Sequence, residues 1–135
     1  MPRRSRAREV VLQVLYQDDL NPDSDPQAAQ FFLESRLHGD RELVRFALGL
    51  LSGVRRNRSE LDQMLTDAAE NWTLKRMAAT DRNVLRLGAY EILYTDTPER
   101  VAINEALELA KRFGSEQSAH FVNGILDRFI RKQDG

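Results

Sequence analysis

The sequence predicts an all-α protein, a compact bundle of about seven helices. Three observations carry that prediction. Apolar residues recur with a period near 3.6 along the whole chain, no stretch alternates with period two long enough to make a strand, and Gly, Pro, Asp and Asn interrupt the periodic runs at helix-length intervals. At 135 residues the chain is one domain of ordinary size, able to bury roughly two-thirds of its unfolded surface. Its 41% hydrophobic and 30% charged residues describe a soluble globular protein rather than a disordered one.

The first helix is predicted from about Arg4 to Asp19. Ala7, Val10, Val11, Val14 and Leu15 share one wide apolar arc, while Arg6, Glu9, Gln13 and Tyr16 group on the opposite side. Asn21 to Pro26 reads as a loop, with Asp25 as N-cap and Pro26 in the first position of a second helix that runs to about His38 and stops at Gly39. Asp40 opens the third helix, on which Leu43, Phe46, Ala47, Leu50, Leu51 and Val54 repeat at three and four. Gly49 and Gly53, four apart on it, suit close helix packing. A fourth helix from Ser59 turns Leu61, Met64, Leu65 and Ala68 inward.

Asn71–Ala79 is weakly periodic, contains the only tryptophan, Trp72, and reads as a short helix or connector at a seam between two halves, about 1–70 and 71–135. Thr80 caps a strong helix to about Tyr94, and Thr97-Pro98 leads into the Val101–Phe113 helix. Gly114 is placed to close that helix in the left-handed conformation, and Ser115 to cap the next one. The last helix runs to about Arg131, with Val122, Ile125, Leu126 and Phe129 inward, ahead of a loose tail.

Composition excludes several kinds of chemistry. Zero cysteines remove disulfides, thiol catalysis and thiolate metal sites together. The two histidines, His38 and His120, stand apart with no ligand spacing around them, so no metal site is expected. No P-loop, dinucleotide-binding or nucleophile-elbow pattern occurs, which implies neither cofactor nor catalysis. The amino-terminal arginines precede no apolar stretch, because Glu9, Gln13 and Gln17 interrupt it, and nothing approaches the length of a membrane span. A cytoplasmic protein is expected. Glu91 stands out because it projects inside an apolar arc with Val84 and Ile92, so it needs a partner, for which Arg82 and Asn104 are candidates. It reads as a pin between helices in preference to a catalytic acid.

A net charge of −1 conceals a dipole. Residues 1–8 hold four arginines and no acid, leaving 16 basic and 21 acidic residues elsewhere, a balance of −5. A small cationic end on an acidic body fits a localised polyanion site, or else a solvated terminus. RNA recognition needs cations for phosphates and flat rings for unstacked bases. Arg4, Arg6 and Arg8 supply the first and Tyr16 the second; Phe121, at the border of its apolar arc beside Gly124 and Arg128, is either another ring for bases or part of the core. A DNA-binding regulator is disfavoured by the acidic body. A purely structural or dimerising helical protein would lack salt-sensitive RNA binding.

Three segments resemble the NusB family of bacterial RNA-binding transcription antitermination factors. They are R-S-R-A-R-E-V-V-L-Q-V-L-Y from Arg4, D-R-N-V-L-R-L-G-A-Y-E-I from Asp81, and V-A-I-N-E-A-L-E-L-A-K-R-F-G-S-E-Q-S-A-H-F-V-N-G-I-L-D from Val101 to Asp127. The likeness covers almost the whole chain and implies two small helical subdomains in one unit. It also implies binding of single-stranded boxA-type RNA through Arg4, Arg6, Arg8 and Tyr16, with Phe121 and Gln117 close to the RNA. The implied partners are a small ribosomal-subunit protein (NusE), met through Asp81 and Arg82, and the RNA polymerase elongation complex with other Nus factors. The implied outcome is processive transcription of ribosomal RNA operons. Family members occur as monomers and as homodimers, and the resemblance leaves that choice open. The arginine cluster is interrupted by Ser5, and the loop before Pro98 is slightly compressed relative to the family.

Overall fold

The computed structural model describes residues 3–23 and 25–134. Its centre is one helix, α5 (Ala79–Tyr94), of which nine consecutive residues from Asn83 to Glu91 are buried. A helix covered on every side cannot be amphipathic, and its sequence accordingly mixes small, apolar and paired charged residues. Against it pack α1 (Arg3–Leu20) and α3 (Arg41–Arg56), which also pack on each other, and α4 (Arg58–Ala69), α6 (Glu99–Phe113) and α7 (Ser118–Asp134). α2 (Pro26–Arg36) is peripheral and rests on α1 and α3. A single 3₁₀ turn, Leu74–Arg76, joins α4 to α5. Seven α-helices and no strand are therefore present among the described residues, as the periodicity predicts.

One continuous hydrophobic core runs from Ala7 to Phe129 and draws residues from all seven helices. The residues expected on the inner arc of α1 are all buried, and so are those named for α7. α4 packs chiefly on α7 and α5, so the packing changes partner at Asn57, ahead of the connector.

Helix ends follow local chemistry. The Asp25 carboxylate accepts from the Gln27 N–H at 2.9 Å, and Asp40 accepts from the Leu43 N–H at 3.2 Å. The second helix stops at Arg36, earlier than expected, because both His38 (φ 55°) and Gly39 (φ 68°) are left-handed. α5 begins at Ala79 with Ala78 in the cap position, so Thr80 lies within its first turn and caps nothing. Gly114 has φ −97°, which any residue can adopt. Glycine is needed there because a Cβ would collide with the Ser118 side chain and the Ala110 carbonyl. Ser118 reaches back to accept from the Ser115 N–H at 2.9 Å, half of a capping box. The expected loose tail is helical to Asp134; Gly135 of that tail and Ser24 of the predicted loop lie outside the described residues.

The end of α1 is bolted to three other helices through two adjacent carboxylates. Asp18 takes a fork from Arg55 of α3, with both contacts at 2.8 Å. Asp19 accepts from Arg58 (2.7 Å), Arg82 (3.0 Å), Asn83 (2.8 Å) and Arg86 (3.0 Å), which lie on α4 and α5. Arg86, itself buried, also forks Asp62 at 2.7 and 2.9 Å. Burial alone would raise the Asp19 pKa, but hydrogen bonds from Asn83, Arg82 and Arg86 outweigh it and hold the carboxyl below its ordinary value of 3.8.

Two predictions follow from these contacts. A carboxyl with a depressed folded pKa contributes its full stability above the unfolded pKa and loses it as pH falls through the folded value. Asp19→Asn should therefore be less stable than the parent at neutral pH and should show a flatter loss of stability on the acid side of about pH 4. Urea titrations at stepped pH measure this, and an unaltered acid limb would contradict it. The two glycines of α3 should respond in opposite senses. A Cβ on Gly53 would overlap the Tyr90 ring, whereas a Cβ on the exposed Gly49 meets nothing within 4 Å. Gly53→Ala should cost about 1–3 kcal/mol by overpacking. Gly49→Ala should add about 0.5–1 kcal/mol through helix propensity.

Candidate nucleic-acid interface

α1 positions the cationic cluster, and helix geometry sorts its arginines. Arg4 is exposed and lies over the Phe46 ring of α3, 4.5 Å from the centroid. Arg6 is 40% exposed along its side chain and reaches Glu9 one turn on, at 3.0 Å. Arg8 faces the other way. It is buried, and its guanidinium forks Glu91 of α5 with contacts of 2.7 and 2.8 Å. A second carboxylate, Glu105 of α6, lies 3.5 Å from it. Burial alone would lower the Arg8 pKa, but Glu91 overrides that and leaves it raised.

The placement of Arg8 corrects two expectations. It removes Arg8 from the solvent-facing cations, because its donors are committed to a buried carboxylate. It also identifies the partner of Glu91 as Arg8, since Arg82 points elsewhere and Asn104 is exposed. The Thr97 hydroxyl donates to Oε2 of Glu91 at 3.1 Å, an oxygen that Arg8 also contacts. The expected role of Glu91 as a pin between helices is thus what the geometry displays.

α6 adds a guanidinium to the outer face of α1. Glu9 is buried and accepts both from Arg6 and, at 2.6 Å, from Arg112 of α6. One carboxylate thus holds two guanidinium groups, and the neighbouring Lys111 lies 3.6 Å from Glu108. Sequence inspection missed Lys111 and Arg112, although the run K-R-F at a helix end was a readable basic–aromatic signal. Tyr16 sits on this face, 37% exposed. It follows Arg6 by ten residues, which places it about 15 Å further along the axis. It lines a cleft of about 570 Å³ together with Gln13, Gln17, Phe32, Arg36 and Phe113.

Phe121 of α7 occupies a different neighbourhood. It is half-buried and stands edge-to-face with Trp72, with ring centroids 5.2 Å apart at 81°. Gln117, one turn earlier, is exposed, and its carbonyl accepts from the Phe121 N–H. Tyr16 thus shares its cleft with Phe32 and Phe113, while Phe121 pairs with Trp72. Arg82 is turned inward, donating to Asp19 and to the carbonyls of Leu74 (2.9 Å) and Met77 (3.1 Å). Arg82 thereby tethers the connector, with 16% of its side chain at the surface. Asp81 beside it is half-buried, with a buried Oδ1 that has no hydrogen-bond partner among the described residues.

A helical scaffold that sets guanidinium groups beside open aromatic rings has the surface chemistry of nucleic-acid-binding proteins. Among the described residues no group of His, Asp or Glu could hold a metal, and no helix is long and apolar enough to cross a membrane. Residues 5–131 match the NusB family, and the chain belongs to that family. Its relatives include the transcription antitermination protein NusB of Anaeromyxobacter dehalogenans, 48% identical over 93% of this chain and 89% of that one. The corresponding protein of Myxococcus xanthus is 45% identical over 95% and 94%. Among solved structures, NusB of T. maritima superposes with a TM-score of 0.85 at 40% identity, covering 98% of this chain and 92% of that one. A crystal structure of antitermination factors NusB and NusE in complex with dsRNA shares the fold, with a TM-score of 0.87 at 23% identity over 98% of each chain. These relatives are transcription antitermination proteins.

The inward placement of Arg8 is directly testable. Arg8→Met should cost about 3–5 kcal/mol in a denaturant titration by stranding a buried carboxylate, and adding Glu91→Leu should recover much of that loss. If Arg8→Met left stability unchanged but weakened RNA binding, the guanidinium would belong outside, not within.

Proposed function

We propose that the chain binds single-stranded boxA-type RNA jointly with the small ribosomal-subunit protein NusE, and so promotes processive transcription of ribosomal RNA operons within an elongation complex in the cytoplasm. One observation carries the RNA reading: Arg4 and Arg6 reach solvent on the same helix that half-exposes Tyr16. Guanidinium groups capture phosphates, and the phenol ring stacks an unpaired base. Gln117 and Phe121 extend the contact onto α7. Arg8 acts as a positioning residue that holds α1 in place from within. The chain does no bond-making chemistry in this scheme.

The partner assignment draws on kinship. The NusB of known structure that is bound to NusE and dsRNA shares this fold. Asp81 and Arg82, neighbours in the first turn of α5, are the residues we assign to that contact.

Electrophoretic titration of boxA-type RNA, with and without NusE, tests the scheme. Joint tightening is expected, together with a salt slope shallower by about 0.7 per phosphate contact when Arg4 or Arg6 is replaced by Gln. Tyr16→Ala should cost about 1–3 kcal/mol of binding. Indifference to NusE would overturn the joint mechanism, and a preference for duplex RNA would overturn the single-strand reading.

A further inference from the structure

We propose that Trp72, on the connector between α4 and α5, is an additional base-stacking ring, flanked by Lys75 and Arg76 as phosphate-binding cations. The inference rests on the RNA reading above and enlarges its site. Trp72 is 51% exposed, although the same segment already has two apolar anchors, Leu74 and Met77, which are 7% and 6% exposed. Those two hold the connector to the core. A third large apolar ring is not needed for that task, and leaving it in solvent points to a partner.

The ring is held in place. Glu70 takes φ 54° and ψ −88°, close to a γ-turn, which breaks the chain direction sharply after α4. Arg128 of α7 donates to the Ala68 carbonyl at 2.8 Å and fastens that corner, and the Trp72 N–H bonds the Ala69 carbonyl at 3.2 Å. The indole then meets Phe121 edge-to-face, an arrangement that leaves ring surface open while fixing its angle. A preset aromatic corner loses little freedom when a base stacks on it.

Charge favours a nucleic acid over an apolar protein surface. Lys75 and Arg76 are exposed and form no salt bridge among the described residues. The nearby acid, Glu70, lies 4.0 Å from the Arg128 guanidinium and is partly offset by it. Gln117, one turn from Phe121, adds an exposed amide able to bond a base edge.

Because Trp72 is the sole tryptophan, its emission reports on this site alone. The experiment titrates the full chain with a boxA-type single-stranded RNA dodecamer, following tryptophan emission at the red edge and, in parallel, the anisotropy of the same RNA carrying a dye. Saturable quenching with the midpoint of the anisotropy curve is expected. Trp72→Ala should weaken binding about 5- to 100-fold, with Trp72→Phe retaining most of the affinity. Lys75→Gln with Arg76→Gln should make the salt slope shallower by about 1.4. Circular dichroism checks that each variant is folded. Binding seen by anisotropy with unchanged tryptophan emission, or a folded Trp72→Phe and Trp72→Ala pair both binding as tightly as the parent, would overturn the proposal and leave the RNA reading intact. No anisotropy change at all would overturn both. Quenching by NusE but not by RNA would assign Trp72 to a protein contact instead.

Discussion

The buried fork between Arg8 and Glu91 is the interaction on which the rest of the molecule depends. It joins the first helix to the central one across 83 residues of sequence, in a region where neither charge can reach water. Such a pair adds little net stability, because desolvation offsets much of the attraction. Its value lies in register: with both oxygens of Glu91 engaged by Arg8, and Thr97 donating as well, α1 can neither slide nor rotate against α5 without stranding a charge. That fixed rotation decides which arginines of the cluster face outward.

The same logic explains how a chain of nearly neutral net charge presents a cationic face. Acidic residues are spent inside or at helix junctions, where Asp19, Asp62, Glu9 and Glu91 each take one or more guanidinium groups. Among the described residues, cations left without a salt bridge include Arg4 on the outer face of α1 and Lys75 and Arg76 on the connector. Composition alone hides this because it counts charges without regard to who is paired. A localised surplus of this type attracts phosphates over about a Debye length while the body of the protein stays acidic.

Much of the fold was legible in the sequence, because a period of 3.6 with short breakers is a local signal. Inner arcs of α1, α3, α4 and α7 follow directly from it. The long-range charge pairs were not legible. Glu91 could be recognised as needing a donor from its place in an apolar arc, but Arg8 looked like one more member of a basic cluster, and nothing local says that one arginine in three turns inward. The tether made by Arg82 was hidden for the same reason, since its acceptors include carbonyls of a connector whose path only the tertiary fold defines. Gly114 illustrates a subtler loss. A glycine after a helix suggests a left-handed cap, whereas here it makes room for the hydroxyl that Ser118 turns back on Ser115.

The first helix is gripped close to both ends, by Glu91 near its start and by the cluster of donors on Asp19 at its finish. Its backbone therefore surrenders its freedom during folding and has none left to lose on meeting a flexible polymer. Association can then proceed as a rigid rail capturing a limp strand, with the ordering cost falling on the nucleotides. For the single-stranded complex proposed above, the lifetime would then be set by how quickly individual bases peel away, not by any rearrangement of the protein.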